Sequence, residues 1–227
     1  MNKVVFISDF FSNQVSGGAE IYDEILISEL KSRDIKVCKF NSHEFSKKHF
    51  ALYEKMGFVF LVSNFVNLSE EVKKIMQLYS DKYCILEHDH KYLTTRNPAD
   101  FKGFKAPSKY IVNRDFYATA KQVFCQSSKH TQVLSDNLGI NNVTNLSCSL
   151  WSKEQLDLIQ SKISEKNNKA MIINDPNVIK GTREAVENCK KKGIDYDLID
   201  KLPYDQYLST LAKYDKFVFF PKTLESF

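Results

Sequence analysis

No apolar run in this 227-residue chain approaches the ~18 residues that a membrane-spanning helix needs. The Val4 to Ile7 stretch is too short for the apolar core of a secretory signal. A soluble, cytoplasmic protein is expected, with peripheral membrane contact left open. The five cysteines are an odd number and lack the CxxC spacing of a structural metal site. Cys38, Cys84, Cys125, Cys148 and Cys189 lie mostly in apolar, strand-like runs, which predicts reduced, buried thiols. Blocks of like charge are missing too. The 32 Lys and Arg against 28 Asp and Glu leave a formal net charge of +4, spread along the chain, so no nucleic-acid partner is implied. Low-complexity segments and internal repeats are likewise absent.

Two phosphate-binding fingerprints are also missing. A dinucleotide fold needs GxGxxG in a tight turn directly after a strand, and a P-loop needs GxxxxGK[ST]. Neither spacing occurs, and Lys180-Gly181-Thr182 has the P-loop order wrong. What is present is an ordinary globular balance of 43% hydrophobic, 13% aromatic and 26% charged residues, enough for a packed core.

Strand-like and helix-like patterns alternate along the chain. Val4 to Ile7 is a continuous β-branched and aromatic run, the mark of a strand buried on both faces. After a long loop, Ile21, Ile25, Leu26 and Leu30 recur at helical spacing. Further strands are predicted at 35–40, 58–62, 83–86, 122–125 and 143–146, and helices at 69–79, 110–118 and 128–137. Lys47-Lys48 reads as a charge pair in a loop. Residues 1–150 thus form one complete Rossmann-like α/β domain with a parallel sheet. Residues 151–168 supply a connecting helix and polar linker. Residues 169–227 continue as β-α-β-α-β, with strands at 170–173, 196–199 and 217–220 and helices at 181–191 and 204–212. That is the first half of a second Rossmann-like domain, so the chain is expected to be truncated.

Four places carry candidate chemistry. Ser16-Gly17-Gly18-Ala19-Glu20 feeds a helix N-terminus, where amide groups and the helix dipole favour a phosphate. The bland reading is a loop shaped by glycine. Glu87-His88-Asp89-His90 follows a strand at the carboxyl edge, where open α/β sheets bind ligands. If the strand continued, His88 and His90 would share a side. Hydrogen bonding to a polar substrate, or a plain structural role, suits them better than a metal, because no third ligand has suitable spacing. Lys180, before the first helix of the second domain, can act as a mobile point charge on a diphosphate, or as a solvated lysine. Glu225, in Pro221 to Phe227, is placed to accept two hydrogen bonds from ribose hydroxyls, or to balance a helix dipole. Lys190-Lys191-Lys192 reads as a solvated helix end.

Gly17-Gly18-Ala19-Glu20, Lys180-Gly181 and Pro221 to Phe227, in that order, resemble the family 4 glycosyltransferases of the GT-B fold. Residues 120–128, a strand ending in serine before a helix, also look like that family. The resemblance implies two facing Rossmann-like domains, with a nucleotide-diphosphate-sugar donor held mainly by the second and the acceptor, a sugar, lipid or protein, by the first. It implies transfer with retention of configuration, commonly without metal or other cofactor. Carried over residue by residue, Gly17 and Gly18 would approach the donor diphosphate and Lys180 would pair with it. Glu225 would hold the ribose, beside Ser226 and Phe227 at the donor site, and His88 or His90 would lie near the transferred sugar as catalytic residues. Two departures stand out: the family's basic residue before the lysine is Asn174 or Asp175 here, and its second glutamate, eight positions after Glu225, falls beyond Phe227. A degenerate, non-catalytic nucleotide- or sugar-binding module is the rival expectation. A nicotinamide-dependent oxidoreductase fits the alternation but lacks the glycine turn.

Overall fold

The computed structural model describes residues 2–15 and 17–224. Ser16 and the predicted donor-site residues Glu225, Ser226 and Phe227 lie outside the described residues. The chain separates into two compact units, with the division at Leu150 and Trp151.

In the first unit β1 (Lys3–Ser8), β2 (Lys36–Asn41), β3 (Val59–Val62), β4 (Tyr83–Glu87), β5 (Gln122–Cys125) and β6 (Val143–Asn145) form one sheet. Its order is β2-β1-β3-β4-β5-β6, with every neighbouring pair parallel, a Rossmann-like arrangement. Alternation along each strand divides the core between the two faces. Val5, Ile7, Phe60, Val62 and Ile85 enter the larger cluster, whereas Phe6, Leu61 and Leu86 enter the other. The second cluster is completed by Tyr22, Leu26 and Ile27 of α1 (Gly18–Ser32). The buried stripe of α1 is therefore turned from the expected one: Tyr22, Asp23 and Ile27 are buried and Ile21 is exposed.

Two more local expectations change. Lys47 and Lys48 open a helix, α2 (Lys47–Lys55), instead of lying in a loop. Ser46 and His49 make the reciprocal capping pair, His49 N–H to Ser46 Oγ at 3.4 Å and Ser46 N–H to His49 Nδ1 at 3.2 Å, which fixes the helix start. α3 spans Glu70–Gln77. The predicted 110–118 helix is cut to α4 (Arg114–Ala118), because Asn113 sits at φ 56°, a left-handed conformation that ends regular winding. Asn113 is held there by its Nδ2 donating to the Lys91 carbonyl (2.9 Å) and by Lys73 Nζ donating to its Oδ1 (3.1 Å). α5 (Ser128–Leu138) completes the unit.

The second unit contains α6 (Lys153–Ser161), β7 (Ala170–Ile173), α7 (Thr182–Lys192), β8 (Tyr196–Ile199), α8 (Tyr204–Leu211) and β9 (Lys216–Phe217). Its three parallel strands run in the order β8-β7-β9. Ala170, Ile172, Ala185 and Cys189 form its small core. β9 differs from the expected 217–220 strand: it spans Lys216–Phe217, paired with Ala170 and Met171, and Val218 N–H donates to the Met171 carbonyl at 3.0 Å just beyond it. No helix among the described residues is long and apolar enough to cross a membrane. All five cysteines are free thiols, and Cys148 departs from the expectation by being exposed.

Candidate functional site

In the first sheet the chain leaves β1 for β2 on one side and returns to β3 on the other. The carboxyl ends of β1 and β3 therefore mark the topological switch point where open α/β sheets bind ligands. Asp9, just past β1, ties this edge together. Its carboxylate accepts the Val66 and Asn67 amides at 2.8 and 2.9 Å and the Ser42 hydroxyl, and its carbonyl accepts Asn41 Nδ2 at 2.9 Å. The loops after β1, β2 and β3 are thus fastened to one buried group.

Below that edge lies Asp23, fully buried on the second turn of α1. Its carboxylate accepts hydroxyl protons from Ser8 at 3.2 Å and Ser63 at 2.9 Å, and faces Nε2 of His88 at 3.1 Å. The other ring nitrogen of His88 is 3.2 Å from Gln126 Nε2, and Tyr22 stands edge-on to the ring at 5.3 Å between centroids. The carboxylate favours the proton on Nε2, so Asp23 sets both the tautomer and the direction of the ring. Burial, then the nearby Cys148 and Asp23, raise the Tyr22 phenol to about 12, so Tyr22 stays neutral at physiological pH. His88 is therefore anchored to the same helix whose first turn begins with Gly17 and Gly18. Gly17 is the N-cap of that helix, with extended backbone at φ −124°, and no atom lies within 4 Å of where a Cβ on Gly18 would stand.

His90 goes elsewhere. The strand ends at Glu87 and the backbone turns through φ 58° at His90, so the two histidines do not share a strand face as the period-two expectation required. The His90 ring is buried, with Nδ1 3.1 Å from the Tyr92 hydroxyl and its centroid 4.3 Å from that of His130. Glu87 forms a separate buried knot: it accepts Lys91 Nζ at 3.1 Å, the Asp89 amide at 2.8 Å and the Tyr117 hydroxyl, while Asp89 pairs with Lys91 and Arg96. Burial alone would raise the Glu87 carboxyl, yet the Lys91 ammonium, then the neighbouring histidines and the Tyr117 hydroxyl, hold it at about 2. Between the two predicted histidines, the geometry favours His88 as the group linked to the α1 N-terminus.

Burial lowers the His130 pKa to about 3, from the 6.5 of a free imidazole, with His90 adding to the effect. Between those values the unfolded chain carries a proton that the folded chain does not, so stability falls as pH is lowered through this window. Glu87 adds its own loss only below about 4.5. From pH 6.5 to 5 the first unit should therefore lose roughly 2 kcal/mol through His130. Urea midpoints at the two pH values measure this, and His130→Gln should flatten the difference.

The second unit carries its own carboxyl edge, where β7 adjoins β9. After β7, residues Val178–Lys180 make one 3-10 turn and Gly181 enters α7 at φ 68°. Thr182 Oγ1 donates to the Ile173 carbonyl (2.9 Å) and accepts the Asp175 amide (3.2 Å), closing the loop over the strand end. This loop and the first turn of α7 are fastened to the segment after β9: the Lys222 amide donates to the Ile179 carbonyl at 2.8 Å, and Lys222 Nζ pairs with Glu184 of α7 at 2.7 Å. Lys180, half-buried, thus sits in a loop bound to the segment after β9. Of the two positions at which the resemblance calls for a basic residue, Asn174 donates to Asp200 Oδ1 at 2.7 Å and Asp175 donates its amide to Thr182 Oγ1.

The residues missed from sequence are Asp9, Asp23, Gln126, Lys91, Tyr117 and His130. Asp23 had one available signal, an acid four residues before Ile27 on the buried stripe of α1. Among the described residues, no group of three or more His, Cys, Asp or Glu side chains is arranged to hold a metal ion. Comparison with known protein families and with curated proteins gives no match.

Proposed function

We propose that the chain is a GT-B-type glycosyltransferase that takes a sugar from a nucleotide-diphosphate donor and passes it to an acceptor with retention of configuration. The observation that carries this reading is the fastening of the Asn174–Gly181 loop to the 218–222 segment at the carboxyl edge of the second sheet. It ties the loop that carries Lys180 to the segment that follows the last strand of that sheet, the edge at which an open α/β sheet binds its ligand. Lys180 would stabilise charge on the departing diphosphate, and the amides opening α1 at Gly17 and Gly18 would favour an anion. Asp23 would hold His88 in one orientation, as a positioning residue. A retaining reaction of this kind needs no protein nucleophile, and none is assigned.

Following the anomeric proton by NMR during incubation with UDP- and GDP-sugars tests this. Sugar release or transfer with the starting anomeric configuration is expected, whereas an inverted product would overturn the mechanism. The rival reading, a binding module that transfers nothing, draws support from Asn174 and Asp175, neither of them basic, standing where a basic clamp is expected; binding without turnover would favour it. In either case Lys180→Ala should weaken nucleoside diphosphate binding roughly ten- to hundredfold, from the loss of one charge-assisted contact. Calorimetric titration reads that change.

A further inference from the structure

The second unit holds a cavity of about 500 Å³ at the carboxyl ends of β7 and β8, within the size range of small-molecule sites. Ile173, Ile199, Leu202 and Tyr207 wall it, and Asn174, Asp200 and Lys201 stand among its lining residues. The apolar walls suit the faces of a flat heterocycle. The polar residues are selective. The Asp200 carboxylate is an acceptor only, and the Asn174 amide bonded to Oδ1 at 2.7 Å holds it in place.

We propose that this cavity receives the nucleobase of the donor and that Asp200 selects guanine; the inference rests on the reading of the chain as a nucleotide-sugar enzyme. Guanine presents two adjacent donors, N1–H and the 2-amino group, which a carboxylate accepts side by side. Uracil presents N3–H between two carbonyls, and adenine and cytosine each set an amino group beside an unprotonated ring nitrogen. Opposite Asp200 each of those three bases places a lone pair against a carboxylate oxygen. Lys201, a donor with no acceptor capacity, is suited to the guanine O6.

The test is calorimetric titration of GDP, UDP, ADP and xanthosine diphosphate into the whole chain and into Asp200→Asn. Asp200 is exposed, so the variant is expected to fold, and circular dichroism checks that it does. Wild type should bind GDP at least tenfold more tightly than UDP or ADP, since a bidentate base contact discriminates by about ten- to a hundredfold. Asp200→Asn should lose that preference and gain xanthosine diphosphate, because an amide accepts from N1–H and donates to the 2-carbonyl. Guanosine should distinguish wild type from Asp200→Asn in the same direction. If the variant keeps the wild-type order of affinities, the base assignment is overturned while nucleotide binding stands. If no nucleoside diphosphate binds wild type, the reading beneath it fails as well.

Discussion

Replacing Lys91 by Met is expected to destabilise the first unit by about 3–5 kcal/mol, the cost of leaving one partner of a buried ion pair unpaired. The Lys91 and Glu87 side chains are 1% and 0% exposed, and Nζ lies 3.1 Å from the Glu87 carboxylate. The same ammonium pairs with Asp89 and lies 5.6 Å from the centre of the Phe65 ring. Without it, the buried carboxylate keeps the Tyr117 hydroxyl and the Asp89 amide as donors, and no adjacent full positive charge. Lys91→Met combined with Glu87→Gln should recover much of the loss, because the second change removes the stranded charge. Urea unfolding of the single and double variants checks both statements; equal loss in the two would mean the effect is packing alone.

Gly181→Ala should damage the second unit more than any other single added methyl group among its glycines. The position has φ 68°, and a Cβ there would lie 1.8 Å from the Phe220 carbonyl oxygen and 2.6 Å from its carbon. Backbone, not a flexible side chain, must move, which would pull the Lys180 loop away from the 218–222 segment. Gly193→Ala is the internal control, with φ 63° but open space around the added atom. The control should cost about 1–2 kcal/mol, the left-handed penalty alone. Gly181→Ala should exceed it by at least another ~2 kcal/mol, on the order of an overpacked site, and should also weaken nucleotide binding. Thermal unfolding of the pair, with and without nucleoside diphosphate, separates the two effects.

The strands were the most legible part of the fold. Gln122–Cys125, Ala170–Ile173 and Tyr196–Ile199 coincide with their predicted limits, because β-rich apolar runs between polar or turn residues leave little choice. α2 escaped notice because its cap uses His49 where glutamate or glutamine is usual. The 110–118 segment misled because its apolar spacing is helical, while a single left-handed residue, Asn113, breaks it. Gly17, Gly18 and Lys180 are candidates that rest on residue type beside a strand or helix end. The network around Asp23 could not, since its partners Ser8, Ser63 and His88 lie 15, 40 and 65 residues away. Only the folding of β1, β3 and β4 side by side brings them onto one carboxylate. His90 shows the converse: a two-residue period is informative only while the strand continues, and this one stops at Glu87.

The measurement that bears most directly on the proposed activity is calorimetric titration of UDP, GDP, ADP and NAD into the 227-residue chain, each compared with Lys180→Ala. The account predicts that at least one nucleoside diphosphate binds, that Lys180→Ala weakens it at least tenfold, and that NAD does not bind. Binding of NAD with no response to the diphosphates, or diphosphate binding indifferent to Lys180, would contradict it.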